Sequence, residues 1–455
     1  MKKITLLLLL IAFQMNAQCW KTVSCGLTHT LGIKNDGTLW TWGRNDSGQL
    51  GLGNTTNKNT PTQIGSATDW EFVSAGYDTS FAIKTNGTLW GWGDNQFARI
   101  GDGTQTDRLS PIQIGTDTNW LSIDSKNHTI ALKTDGTLWA WGYNSSGEMG
   151  DGTSSGTVYR TLPGQVGTDT NWSTVSAGSN FNVALKTDGT LWAWGNNGFG
   201  QLGDGTQTTR KVPMKLGTST NWQKISAGSL HVMAIKTDGT LGGWGKNDYG
   251  QLGIGSVTSY SLYPVQTGTA TNWLSICAGN NSNVAIKTDG TLWWGYNHRG
   301  QLGDGTLVDK NAPIQIGTAT NWSAAVRCTG YLSAALKTDG NLSAWGSNTY
   351  GQLGDGTVVN KSIPTAISCP ATLSSEDFEV NAFSVYPNPA TEFLYIENKD
   401  NLSIDTVIIF DLTGKKVIEQ KNTDATINVQ QLESGIYMVQ VISKGRNYLN
   451  KFIKD

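Results

Sequence analysis

In this chain of 455 residues the side chains with chemistry to offer are four histidines, five cysteines and a series of Asp-Gly steps. His29, His128 and His231 occupy one position of a repeating pattern, which Thr79, Phe181, Ser282 and Leu332 fill elsewhere. A position that accepts Phe and Leu does not make a catalytic set, and His298 stands alone on a loop. The Gly-Asp-Gly-Thr segments and Asp/Asn-Gly turns invite a calcium reading. They lack the alternating Asp/Asn ligands and terminal Glu that a loop chelator needs. Cys19, Cys25, Cys277, Cys328 and Cys369 form no CxxC pair, which argues against zinc and iron–sulfur sites. No Ser/His/Asp constellation or carboxylate pair stands out. The expectation is therefore a chain with no metal, no cofactor and no enzymatic activity. A formal net charge of −2 gives no electrostatic reason to bind nucleic acid.

The 19 tryptophans could stack on sugars, but their spacing gives them a different task. One set opens each repeat, at Trp20, Trp70, Trp120, Trp172, Trp222, Trp273 and Trp322, 49 to 52 residues apart. A second set stands before Gly, at Trp42, Trp92, Trp141, Trp194, Trp244, Trp294 and Trp345, and Trp40, Trp90, Trp139, Trp192 and Trp293 each end a Thr-Leu-Trp. Every tryptophan thus holds one of three repeat positions, and that register predicts packing between repeats. Within one unit, Trp172 to Gly178 reads as a short strand closed by glycine and Asn182 to Lys186 as the next. Asp188-Gly189 predicts a type I′ hairpin turn, Leu191 to Trp194 returns, and Val212 to Leu216 supplies a fourth strand. Four antiparallel strands per unit, seven times over, predict an all-β ring: a seven-bladed β-propeller over residues 18–369. A solenoid would need distinct capping repeats, and the first and seventh units look like the others.

The two ends read as addresses. Residues 1–17, with Lys2 and Lys3 ahead of the apolar Ile4 to Phe13, read as a secretory signal peptide, too short to span a bilayer. After a linker at 370–380, residues 381–455 alternate short apolar strands, such as Phe393 to Ile396 and Ile436 to Val441, with turns at Asn388-Pro389, Thr413-Gly414 and Ser434-Gly435. That pattern predicts a small C-terminal β-sandwich.

Two resemblances follow from these residues. Ser-Ala-Gly, Lys-Thr-Asp-Gly-Thr-Leu-Trp, Trp-Gly-x-Asn and Gly-Gln-Leu-Gly, seen together at 176–203, resemble the repeats of the family named for the regulator of chromosome condensation, a seven-bladed propeller. Departures are Ala98-Arg99-Ile100 in the second unit, Glu148-Met149 in the third, and one missing residue in the third and sixth units. The tail motifs Tyr386-Pro387-Asn388-Pro389, Ile409 to Lys415, Leu432 to Tyr437 and Lys451 to Lys454 resemble the type A C-terminal sorting domain of the type IX secretion system. This second resemblance implies handling by the type IX secretion machinery and export to the outer-membrane surface or the medium. Cys19 and Cys369 flank the ring, so a disulfide between them would latch it, as an exported protein permits. Cys25, Cys277 and Cys328, at or beside the Ala of Ser-Ala-Gly, read as buried small residues.

Positions shared by all units are scaffold, and positions that differ are free to bind. In a four-stranded meander the first–second and third–fourth loops share one face of the ring. Those loops carry Arg44, Tyr77, Phe97, Arg99, Tyr143, Phe181, Phe199, Tyr249, Tyr296, Arg299, Tyr331 and Tyr350. Tyr and Arg are favoured contact residues, so this face is the expected partner-binding surface of a monomeric propeller. The expected function is non-catalytic recognition of an extracellular protein, with a glycan-binding or adhesin role as the alternative. Guanine nucleotide exchange, the activity of the family's eukaryotic founder, sits poorly with an export signal and the lack of a basic arm.

Overall fold

The computed structural model describes residues 19–294, 297–328, 330–370, 383–398, 402–411, 415–421, 425–443 and 446–455. The expected signal segment 1–17, residues 371–380 of the expected linker, and Tyr296 lie outside these. Every regular element described is a β-strand, and the chain divides into two compact units after Cys369.

The first unit contains seven sheets, each built on four antiparallel strands in chain order, and the first also takes a short parallel strand from the seventh unit. In blade 4 these are Trp172–Ala177, Phe181–Lys186, Leu191–Gly195 and Arg210–Lys215, paired in that order. The first strands of neighbouring blades lie against one another and so surround the axis. Space there is short, which explains Ser-Ala-Gly: a Cβ on Gly26 would stand 2.5 Å from the Gly76 carbonyl oxygen. The serines tie one blade to the next. Ser24 Oγ accepts the Ala75 N–H (2.9 Å), Ser176 Oγ that of Ala227 (3.0 Å) and Ser226 Oγ that of Ala278 (2.8 Å).

The tryptophans pack as their register predicts. Trp42, Trp92, Trp141, Trp194, Trp244 and Trp345 are fully buried, and the side chain of Trp294 lies outside the described set. Trp92 Nε1 donates to the Gln49 carbonyl of the preceding blade (3.0 Å), and Trp244 Nε1 to that of Gln201 (3.0 Å). The final glycine of Gly-Gln-Leu-Gly makes room for that indole, since a Cβ on Gly51 would lie 2.8 Å from Trp92 Nε1. The other two sets sandwich the repeat lysine: Lys186 Nζ sits 4.8 Å from the Trp172 ring and 4.2 Å from the Trp192 ring.

The Asp-Gly turn differs from the expected type I′. The Gly37 N–H closes onto the Lys34 carbonyl (3.0 Å), and in this turn only Gly37 takes a positive φ, 78°. The loop is a type I turn followed by a left-handed glycine. The reason is local: with ordinary φ, Asp36 turns its carboxylate onto the Thr38 N–H (2.9 Å) and hydroxyl (2.5 Å), a bond pair repeated at Asp135, Asp188, Asp238 and Asp289.

At the seam between blades 1 and 7 a two-residue strand of the seventh unit, Arg327–Cys328, joins the sheet of blade 1. Ser24 and Cys25 pair in parallel with Arg327 and Cys328, Thr30 Oγ1 donates to the Gln352 carbonyl (2.8 Å), and Asn59 Nδ2 to that of Gly356 (2.8 Å). Cys19 and Cys369 are joined by a disulfide across 350 residues of sequence. In the sixth unit the described part of the third strand is Leu292–Trp294.

The second unit is a sandwich. One sheet holds Phe383–Tyr386, Phe393–Asn398 and Thr426–Asn428, and the other Lys416–Lys421, Thr406–Asp411, Gly435–Ser443 and Arg446–Lys454. Leu394, Ile396 and Ile427 meet Val407, Ile409, Val439 and Val441 in its core. The alternating exposure of Phe393–Asn398 follows the two-residue period of a half-buried strand.

Candidate functional site

The Asp-Gly face is monotonous: the lysine lies between two tryptophan rings at Lys84, Lys133, Lys186 and Lys287, and an Asp or Asn side chain caps the turn, as at Asp36, Asn86 and Asp135. The opposite face varies. There the first–second loops hydrogen-bond in sequence around the axis, Leu27 N to Tyr77 O (3.1 Å), Ser179 N to Ser229 O (3.1 Å) and Ser229 N to Gly279 O (3.2 Å). Tyr77 reaches across this ring, its hydroxyl 2.5 Å from Ser179 Oγ and 3.1 Å from Ser229 Oγ. It closes the mouth of the axis rather than offering a free ring.

The remaining expected residues gather at blade boundaries. Arg44 lies over the Tyr350 ring at 5.1 Å, and Arg299 over Tyr331 at 5.4 Å. Lys246 stands 5.4 Å from both Phe199 and Tyr249, the two most exposed rings among the described residues of the set at 37% and 41%. Phe97 meets Tyr143 at 5.3 Å and is joined by Tyr159, which lies 5.6 Å from Phe97 and 6.0 Å from Tyr143. Beside Arg299, a cavity of about 640 Å³ opens between blades 6 and 7, with His298 and Lys361 on its wall.

Two expected contact residues prove to be interior. Phe181 is wholly buried: it takes the position that His29, His128 and His231 hold in their blades, and its ring fills the space over Gly178. Arg99 is 5% exposed, folded over the Phe97 ring (4.9 Å) with Nη1 3.3 Å from Asp94 Oδ1. It stands where other units have the glutamine of Gly-Gln-Leu, a position enclosed by the loop. The histidines are also structural. Their Nε2 atoms reach Ser80 Oγ (2.9 Å), Asn182 Oδ1 (2.7 Å) and Asn283 Oδ1 (2.8 Å) of the following blade. Burial pushes His29 down to about 3 and His128 and His231 down to about 4, so all three are neutral.

Sequence reasoning missed two residues of the third unit. Asp124-Ser125-Lys126 stands where its neighbours have Ser-Ala-Gly, and that break in the motif was the available signal. Asp124 Oδ2 takes over the serine's task, accepting the Ala177 N–H (2.6 Å) and the Ser176 hydroxyl (3.1 Å). Lys126 replaces an axial glycine and sends its amine to the Ala227 carbonyl two blades on (3.0 Å). Burial lowers this amine to about 7, partly opposed by Cys277. Glu148 is a third anomaly. It fills the glutamine position, accepts the Ser146 N–H with Oε2 (2.7 Å) and leaves Oε1 with no partner among the described residues. Burial pushes its carboxyl up to about 7. Cys25 and Cys277 are buried, as their small-residue positions require, and the Cys328 side chain lies outside the described set.

Comparison with known proteins agrees with this geometry. The model of the RCC1-like domain matches residues 122–384, and those of the regulator of chromosome condensation repeat match 36–83, 20–49 and 70–98. The model of the secretion system C-terminal sorting domain matches 384–455. Among curated relatives, the ultraviolet-B receptor UVR8 of Arabidopsis thaliana is 28% identical over 137 residues, covering 28% of this chain and 31% of the receptor. The ulvan lyase NLR42 of Nonlabens ulvanivorans is 35% identical over 86 residues, covering 18% of this chain and 16% of the lyase. The chain thus spans less than a third of either relative. Among solved structures, human WBSCR16 superposes with a TM-score of 0.66 at 20% identity, over 73% of this chain and 94% of that one. Yeast RCC1, solved with Kap60 bound, gives 0.66 at 19% identity, over 81% and 87%. At these identities the likeness is one of fold.

Proposed function

We propose, from the premise that this chain belongs to the RCC1-like domain family and ends in a secretion-system sorting domain, that it is an exported, non-catalytic binding propeller. Its sorting tail implies export to the cell surface or the extracellular space and engagement with the secretion machinery. The propeller recognises an extracellular protein through the variable loop face. One observation carries this reading: part-exposed aromatic and cationic side chains sit in contact across blade boundaries on that face, as in Arg44–Tyr350 and Phe199–Lys246–Tyr249. Rings held by neighbouring cations lose little side-chain entropy on binding, and large amphipathic side chains dominate protein interfaces.

The test is quantitative capture from the medium and surface fraction of the native bacterium. The full exported protein is compared with a variant carrying Phe199→Ser, Tyr249→Ala and Tyr350→Ala. Proteins enriched by the wild type should be lost by the variant at unchanged thermal stability. Equal recovery by the two would remove the assignment to this face.

A further inference from the structure

In six units the asparagine of the third–fourth loop clamps that loop shut by donating Nδ2 to backbone carbonyls. Asn45 bonds Asn54 and Thr56 (2.8 and 3.1 Å), Asn95 bonds Thr104 and Thr106 (3.1 and 3.2 Å), and Asn197 bonds Thr206 and Thr208 (2.9 and 3.2 Å). Asn348 does the same to Thr357 and Val359, while Asn247 and Asn297 each hold one carbonyl, of Ser256 and Thr306. In the third unit Asn144 Nδ2 bonds instead to the Thr153 hydroxyl (3.0 Å), with no carbonyl partner among the described residues. The outer strand there runs for 11 residues, Ser155–Gln165, against six in blades 1, 2 and 4. Beside this loop and strand lies a cavity of about 400 Å³.

Its lining is specific. Ser154 and Ser155 bring hydroxyls to the lining, Tyr159 forms one wall, and Asp151 and Arg160 form another. Asp151 Oδ2 pairs with Arg160 Nη2 at 2.5 Å, and Asp151 Oδ1 accepts from the Thr153 N–H and hydroxyl. The guanidinium packs over Gly164, where a Cβ would stand 2.7 Å from Nη1, and the pairing with Asp151 orients it. Tyr159 is part of the Phe97–Tyr143–Tyr159 cluster, which fixes the ring plane.

We infer that this cavity is a saccharide-binding site for neutral pyranose sugars. The volume lies in the ~300–1,000 Å³ range of small-molecule sites and admits roughly one or two such rings. A pyranose presents C–H faces that pack on an aromatic ring and hydroxyls that bridge donors and acceptors, the two chemistries that line this space. The cation is already matched by Asp151, so the site holds no unbalanced charge to favour a phosphate, sulfate or uronate. The site lies on the same variable face, with Tyr159 against Phe97 and Tyr143, but its saccharide reading does not depend on the protein-partner one.

The test is retention of the full exported protein on a printed array of neutral gluco-, manno- and galacto-oligosaccharides beside uronate and sulfated ones. Two variants are run in parallel: Tyr159→Ala removes the wall, and Ser154→Trp fills the cavity without touching the ion pair. Neutral glycans should be retained, at least tenfold more weakly by both variants at unchanged melting temperature. Retention of anionic glycans alone, no retention by the wild type, or equal retention by wild type and folded variants would overturn the inference. The array carries no protein, so such a failure leaves the protein-partner reading standing.

Discussion

The seam between blades 1 and 7 should owe much of its stability to one covalent bond. Among the described residues the only strand that crosses it is the two-residue Arg327–Cys328, and the Cys19–Cys369 disulfide is the covalent cross-link there. Replacing both cysteines by serine frees the unfolded chain from a loop of 350 residues. The chain-entropy expression then gives a ceiling of about 6 kcal/mol, reduced by whatever structure the unfolded state retains. With an unfolding entropy of ~2.1 cal/mol/K per residue, that ceiling corresponds to a fall in melting temperature of about 8 °C for a ring of this size. The assay is thermal unfolding of the exported protein, as wild type, as Cys19→Ser/Cys369→Ser, and as wild type after reduction. The reduced wild type and the variant should melt together, several degrees below the oxidised protein. Coincident melting of all three, to within about 1 °C, would refute the reasoning and leave closure to the Thr30–Gln352, Asn59–Gly356 and parallel-strand contacts.

The other predictions concern single positions. Glu148→Gln restores the residue that other units use, and should stabilise the protein at pH 8. Because the folded pKa is raised from 4.5 to about 7, the wild type binds more protons folded than unfolded and loses stability as pH rises between those values. The variant's advantage over wild type should therefore grow by about 2 kcal/mol between pH 5 and pH 8 in denaturant titrations, and a constant difference would count against a buried carboxylate. Lys126→Met tests the opposite sign: its amine is lowered from 10.5 to about 7, so the wild type alone should gain about 2 kcal/mol from this group between pH 7 and pH 9. Trp194→Ala removes a fully buried indole and its bond to the Glu148 carbonyl (3.0 Å), and should cost about 3–5 kcal/mol by equilibrium unfolding. Fractionation of the native bacterium with mass analysis of both chain ends should find a surface or medium species, and an intact cytoplasmic chain would contradict export.

Much of this protein was legible in the sequence because a repeat states each physical requirement seven times. Trp before Gly, Asp-Gly-Thr and Ser-Ala-Gly recur with the period of the blade, and each answers a local need: an indole between blades, a tight turn, a small residue at a crowded axis. Strand order and the disposition of two loop sets on one face follow from the meander alone. The turn type was less accessible, because Asp36 prefers to cap Thr38 with its carboxylate, and that preference lies below the level of an Asp-Gly pattern.

What the sequence could not determine is which variable residues are surface. Phe181, Arg99 and Tyr77 belong to the same loops as Tyr249 and Phe199, yet the first two are buried and the third spans the axis, since exposure depends on blades distant in sequence. Tyr159 was likewise invisible as a partner of Phe97, being placed there by a lengthened strand in the next blade. The sequence by itself determined the ring and its repeat, because those depend on periodicity and local sterics. The tertiary structure alone decided the cavity in blade 3 and the plug at the axis, because both arise where one blade breaks a pattern against neighbours that keep it.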